Sequence, residues 1–222
     1  DIVEKHSAES MAHLVEKWLG NPLSRSILRF CTARDSCGRR VDLALRKYAG
    51  EDVKLCVACP TASHIVAGIL DSILGKNHLD KSRIELHLKD PMWRKGLASV
   101  LEGIAKYGVS RPFTGFSPFL IVWNLTRACN LNCCHCYESA RARSPDELDT
   151  HEAKLAVKKL AEAGVAYIAF SGGEPLMHPD LFEIIHEVKR NEMAFSLATN
   201  ATLATARISK QLKDLDCALV QV

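Results

Sequence analysis

The chain has 222 residues, 47% hydrophobic and 25% charged, with a formal net charge of +3. That is the composition of an ordinary soluble globular protein, and the charge is too small to argue for a nucleic-acid or membrane-surface partner. No apolar run approaches the roughly 18 residues needed to span a bilayer, and no charged-then-apolar leader opens the sequence. Nine cysteines, four of them crowded between Cys129 and Cys136, do not read as a secreted disulfide framework. They imply a reducing cytoplasm and thiols that bind metal. The chain starts at Asp1 and stops inside the apolar run Cys217 to Val222, which leads us to expect a piece of a longer protein.

Residues 1–110 read as a helical domain. Met11, Leu14, Val15, Trp18 and Leu19 recur at the spacing of an amphipathic helix. Asn21-Pro22 supplies a cap and a first-turn proline for the next helix, which carries Leu23, Ile27 and Leu28. Val41, Leu45 and Tyr48 mark a third, closed by Gly50. A fourth runs through Ile65, Val66, Ile69, Leu70, Ile73 and Leu74 to Gly75. Trp93, Leu97, Val100, Leu101 and Ile104 stripe a last one ending near Gly108. The basic excess of this half (Arg25, Arg29, Arg34, Arg39, Arg40, Arg46, Lys47) reads first as a solvated helical face, and second as a surface for an anionic partner.

The segment from Ser110 to Pro118, with two prolines and a glycine, places a domain boundary. From there the period changes. Phe119 to Trp123 is a continuous apolar run, expected of a parallel strand buried on both faces. A helix capped by Thr150 (Ala153, Ala156, Val157, Leu160) ends at Gly164, and Val165 to Phe170 is a second strand. Leu181, Ile184, Ile185 and Val188 stripe the helix after it, and Ala194 to Thr199 is a third strand. Ile208, Leu212 and Leu215 mark a helix before a fourth strand from Cys217. Strand–helix alternation gives a parallel sheet with right-handed crossovers, whose ligands sit at the carboxyl ends of the strands. Three polar motifs therefore converge: the cysteine loop, Ser171-Gly172-Gly173-Glu174-Pro175, and Thr199-Asn200.

Cys129, Cys133 and Cys136 are spaced to grip one iron–sulfur cluster from a single loop. Clusters usually take four protein thiolates, so three would leave one iron with an open position. A structural zinc loop is the alternative, and it needs a fourth ligand from Cys134, His135 or elsewhere. Cys134 reads as a spare thiol. In the glycine turn, two glycines allow close backbone approach and Glu174 offers a carboxylate suited to an ammonium group. In the helical half, Cys31, Cys37, Cys56 and Cys59 could form a second metal site, zinc ahead of iron–sulfur, or remain unliganded small hydrophobes.

Residues 119 to 222 resemble the radical S-adenosylmethionine (SAM) superfamily, whose cluster motif is C-x3-C-x2-C with an aromatic residue commonly before the last cysteine. His135 holds that position and Tyr137 follows. The stretch from Thr126 to Cys133 is especially similar to members that modify peptides or build cofactors, and a helical N-terminal extension is similar to one found in an archaeal group. The resemblance implies an α/β fold: a partial, truncated (β/α) radical SAM barrel, residues 111–222, preceded by an all-α domain, residues 1–110. It implies a 4Fe-4S cluster on Cys129, Cys133 and Cys136 whose free iron binds SAM. Reduction then cleaves the sulfonium to a 5′-deoxyadenosyl radical. It gives the methionyl amino group to Gly172, Gly173 and Glu174, and SAM contacts to His135, Thr199 and Asn200, although Ala201 stands where many relatives have glycine. Arg127 is a weaker candidate for charge near the cluster. The partners implied are SAM, a peptide or small-molecule substrate, and an electron donor such as ferredoxin or flavodoxin. The competing reading is a non-catalytic metal-binding or electron-transfer module.

Overall fold

The computed structural model describes residues 21–76, 80–109 and 115–222. The helix expected from Met11 to Leu19 lies outside them. The chain forms two compact units, Asp1–Ser117 and Pro118–Val222.

In the first unit the Asn21 side chain accepts from the Leu23 amide at 2.9 Å and starts α1 (Pro22–Thr32). The chain then makes a short antiparallel hairpin, β1 (Arg34–Asp35) and β2 (Gly38–Arg39), with Gly38 at φ +123°. This corrects the all-α expectation: strands this short carry no periodicity to read. Four helices follow: α2 (Arg40–Tyr48), α3 (Cys59–Lys76), α4 (Lys81–Lys89) and α5 (Pro91–Tyr107). The helix α4 was not foreseen, because its apolar stripe is little more than Ile84 and Leu88. The core joins Cys31, Val41, Leu45, Ala62, Val66, Leu88 and Ala98.

The arginines expected on a solvated face instead bridge elements. Arg25 and Arg29 donate to the carbonyls of Lys106 and Ala105 at the end of α5, and Arg39 meets Glu102 at 3.5 Å. Arg94, 2% exposed, donates to the Leu88 and Lys89 carbonyls and pairs with Asp42 and Glu51 at 3.4 and 3.2 Å. A guanidinium has five donors in a rigid fork, which is why one arginine ties three segments here. Removing one partner of such a buried network costs about 3–5 kcal/mol. Arg94→Ala is therefore expected to lower the unfolding midpoint by about 2–4 °C per kcal/mol lost, read by calorimetry. An unchanged midpoint would show that the network contributes nothing.

In the second unit, β3 (Leu120–Thr126), β4 (Tyr167–Gly172), β5 (Ala194–Ala198) and β6 (Leu219–Gln221) form one parallel sheet in chain order. Successive neighbours joined by helices are the arrangement of an opened (β/α) barrel. The crossovers are α6 (Thr150–Ala163), α7 (Leu181–Arg190) and α8 (Ala206–Asp214). The cap of α6 is Asp149 and not Thr150: Asp149 and Glu152 form a reciprocal capping box. Gly164, left-handed at φ 101°, ends α6. Ile168, Phe170, Phe195 and Leu197 of the sheet pack on Val157, Leu181, Ile184, Ile185 and Val188.

The strand β3 departs from the both-faces-buried expectation. Ile121 and Trp123 reach the core, while Leu120 and Val122 are 44% and 62% exposed. It is the edge of the four-stranded sheet, so its apolar run is read as two different faces. Its register against β4 shifts between Asn124 and Thr126, where the cysteine loop begins.

Candidate functional site

All three polar motifs stand at the carboxyl edge of the sheet, after β3, β4 and β5. The glycine turn meets the cysteine loop through backbone. The Gly173 amide donates to the Thr126 carbonyl at 2.7 Å, and the Glu174 amide to the Ala128 carbonyl at 2.8 Å. A Cβ on Gly172, at φ +122°, would meet the Thr126 carbonyl oxygen at 2.5 Å, and one on Gly173 would meet that of Ala128 at 2.2 Å. The two glycines thus let the glycine turn touch the base of the cysteine loop. With both amides engaged, the turn has acceptors rather than donors to offer a ligand.

Glu174 is 0% exposed. Its carboxylate accepts from the Leu176 amide at 3.0 Å, the Thr199 hydroxyl at 2.7 Å and the Asn200 amide at 2.8 Å. These donors come from the chain itself, so the carboxylate ties the β4 turn to the β5 turn whatever else it meets. Thr199 is engaged in the same bond and also accepts from the Ala201 amide at 3.0 Å. Asn200 donates to the Asn130 side-chain oxygen at 3.0 Å and accepts from the Thr202 hydroxyl, to which Asn130 also donates at 2.7 Å. An Asn130–Asn200–Thr202 network therefore joins the cysteine loop to the β5 turn.

Ala201 has φ +59°. The turn keeps the left-handed conformation that glycine adopts freely, with an alanine in it.

The cysteine loop is closed at its foot by the Cys129 amide donating to the Arg141 carbonyl at 3.2 Å. Glu147, which sequence reasoning missed, pins the same place. Its carboxylate accepts from the Arg127 amide at 2.7 Å, the Ser144 amide at 2.9 Å, the Thr126 hydroxyl and Arg143. Burial pushes its carboxyl up, but these donors outweigh it and the pKa falls below the usual range. The signal for it was the S-x-x-E pattern of Ser144 to Glu147. Arg143 makes its bond to Glu147 from the surface, with its side chain 49% exposed.

Of the three proposed ligands, Cys133 is exposed, Cys129 and Cys136 half-buried. The backbone of Ala140 hydrogen-bonds the Cys136 thiol and lowers its pKa against the opposing effect of burial, helped by the backbone of Glu138 and Ser139. Amide donors that favour a thiolate are what a ligating sulfur needs. The Leu131 amide points at the Cys129 sulfur at 3.4 Å. The loop thus fits a thiolate-bound group. Cys134 and His135 are both exposed, 4.0 Å apart from Sγ to Nδ1. Among the described residues no hydrogen bond joins His135 to the β4 or β5 turns. Arg127 reaches the Glu138 carbonyl at 3.5 Å.

Residues 123–222 match the family model for the Radical SAM superfamily. That stretch, 100 of the chain's 222 residues, is similar to the radical SAM superfamily. It is 40% identical over 104 residues to an Fe-coproporphyrin III synthase of Methanosarcina barkeri, covering 46% of this chain and 26% of that protein. It is 32% identical over 106 residues to the mycofactocin maturase MftC of Mycobacterium ulcerans, covering 48% and 29%. The chain therefore spans less than a third of the curated relatives it matches. A crystal structure of Streptococcus suis SuiB bound to S-adenosylmethionine overlaps with a TM-score of 0.48 at 13% identity, covering 82% of this chain and 39% of that one. Among the described residues no helix is long and apolar enough to cross a membrane.

The cysteines of the first unit divide differently from the expected set. Cys31 is 1% exposed and packs in the helical core, where burial raises its pKa. It stands apart from the other three cysteines and belongs with the buried hydrophobes. Asp35 takes its place: the Asp35, Cys37, Cys56 and Cys59 ligand atoms all lie within 4.8 Å of one another. The signal missed was a D-x-C on a turn, two residues from a cysteine already noted.

Two substitutions test the bracing. Glu174→Gln places an amide where carboxylate oxygens accept three hydrogen bonds, and leaving a buried donor unmatched costs about 1–3 kcal/mol. The expected result is a lower unfolding midpoint and faster hydrogen exchange at the Asn200 amide; an unaltered exchange rate would count against the brace. Ala201→Gly relieves the left-handed alanine and is expected to stabilise by about 1 kcal/mol. A midpoint that falls would show that Ala201 makes a packing contribution larger than its strain.

Proposed function

We propose that the protein containing this chain is a radical SAM enzyme that modifies a peptide or a cofactor precursor in an oxygen-poor, reducing cytoplasm. Cys129, Cys133 and Cys136 hold a 4Fe-4S cluster. When bound, that cluster supplies the single electron that cleaves the sulfonium of SAM to methionine and a 5′-deoxyadenosyl radical.

The chain's own residues do the placing. The glycine turn, with the Gly173 and Glu174 amides engaged by carbonyls, suits the ammonium of SAM through its acceptors. Glu174 acts through Thr199 and the Asn200 amide, holding the β5 turn in position beside it. Asn200, tied to Asn130 of the cysteine loop, keeps the SAM-facing turn and the ligand loop in one frame. Glu147 fixes the departure of that loop from β3. The reading agrees with the names of two relatives, an Fe-coproporphyrin III synthase and a mycofactocin maturase. A ferredoxin or flavodoxin is the electron donor in this reading.

The observation that carries the proposal is the meeting of a three-thiol loop with a glycine turn at the carboxyl edge of a parallel sheet. The test is the full-length protein, reconstituted anaerobically and given dithionite and SAM. Formation of 5′-deoxyadenosine is expected, abolished with cluster loading in Cys133→Ala and largely kept in Cys134→Ala. A cluster-loaded protein that forms none would remove the enzymatic reading. Exposed Cys134 and His135 in the same loop favour one rival, an electron-transfer module with a fourth protein ligand. That rival requires the paramagnetic resonance signal of the reduced cluster to be unchanged by SAM.

A further inference from the structure

The hairpin β1–β2 and the entry to α3 bring four metal-binding side chains together in the first unit. Asp35 and Cys37 stand on the hairpin, Cys56 and Cys59 on a turn in which the Cys59 amide donates to the Cys56 carbonyl at 3.2 Å. The Cys59 sulfur lies 3.3 Å from that of Cys37 and 3.1 Å from that of Cys56. Asp35 Oδ2 lies 3.1 Å from the Cys56 sulfur and 3.9 Å from the Cys59 sulfur. Cys59 is fully buried and the other three are half-buried.

We propose that Asp35, Cys37, Cys56 and Cys59 form a closed tetrahedral site for one thiophilic divalent cation, which fastens the hairpin to the start of α3. Three physical arguments carry it. The first is size. A tetrahedral ion with metal–sulfur bonds of about 2.3 Å sets its sulfurs about 3.8 Å apart. Four donor atoms within 4.8 Å of one another match a single ion, whereas an iron–sulfur cluster must sit between its ligands and spread them wider.

The second is the donor set. Three thiols and one carboxylate make four ligands, the number at which a structural site closes. A disulfide between any two of these sulfurs would leave the third thiol beside Asp35 with no role. Soft sulfur donors in a tetrahedron select a zinc-like cation over calcium or magnesium, which take oxygen.

The third is the surrounding shell. Arg40 grips Asp35 with both arms, Nε to Oδ2 at 2.7 Å and Nη2 to Oδ1 at 3.0 Å, and also donates to the Phe30 carbonyl at 2.9 Å. Its guanidinium lies 4.6 Å from the centroid of the Phe30 ring. This orients the carboxylate and offsets the negative charge that thiolates and carboxylate bring together. A ligand held by an outer partner is the usual construction of a metal site.

The test uses the full chain, purified without oxygen, stripped of metal and titrated with Co2+. One equivalent is expected to bind with the absorption of a tetrahedral, thiolate-ligated ion and to be displaced by Zn2+. Cys37→Ser, Cys56→Ser and Cys59→Ser should each remove that signal, and Cys31→Ala should keep it. Arg40→Gln is expected to weaken binding roughly 10- to 100-fold, the usual effect of losing an outer partner. Replacing Cys129, Cys133 and Cys136 together by alanine should remove iron loading and leave the cobalt signal, so failure of the cluster reading and failure of this one give different results. Weak octahedral binding, persistence of the signal in Cys59→Ser, or a Cys56–Cys59 disulfide in the oxygen-free protein would overturn the proposal.

Discussion

The carbonyl oxygen of Ala128 lies where a side chain on residue 173 would begin, 2.2 Å from that missing Cβ. Everything at the carboxyl edge of the sheet depends on that approach. It lets the amides of Gly173 and Glu174 bond to the first residues of the cysteine loop, and so fixes where the loop leaves the sheet. A glycine pair is often explained by the ligand it admits. Here the protein's own backbone already fills the space, so the glycines determine the position of the thiols before any ligand is considered.

Glu174 extends the same constraint sideways. A buried carboxylate without partners is unfavourable, and this one is matched by a hydroxyl and two amides. It links the turns after β4 and β5, while Asn130 and Asn200 link the β5 turn to the cysteine loop. Three segments far apart in sequence become one rim. A side chain can thus be essential to a binding site without touching what binds there.

The elements most legible in the sequence were those with long stripes. The helix Leu181–Arg190 and the sheet residues Phe170, Phe195 and Leu197 follow from periodicity because burial selects one face repeatedly. The order of motifs on the sheet edge followed from strand–helix alternation. What could not be read was anything decided by contact across the chain. Glu174 reads as a ligand because its residue type suits one, and only the packing of Thr199 and Asn200 against it reveals that it also braces the rim. Cys31 and Cys37 were alike on paper; one falls inside α1 against the core, the other on a turn. Asp35 carried only its D-x-C spacing to Cys37, and its position depends on a two-residue strand.

The two groups of cysteines illustrate opposite uses of the same side chain. In the loop after β3, amide donors favour the thiolate of Cys136 while Cys133 stays exposed, so sulfur is offered outward. Around Asp35 the donors face one another across hydrogen-bond distances, with Cys59 buried and Arg40 closing the outer side. Under the proposed function, the first arrangement leaves coordination to be completed by another molecule, which is the requirement for chemistry. The second completes it from the chain, which excludes substrate and leaves only a structural use. That use is physically sensible here: the hairpin is two residues per strand, too short to persist on ladder bonds alone, and a crosslink to α3 gives it a fixed anchor.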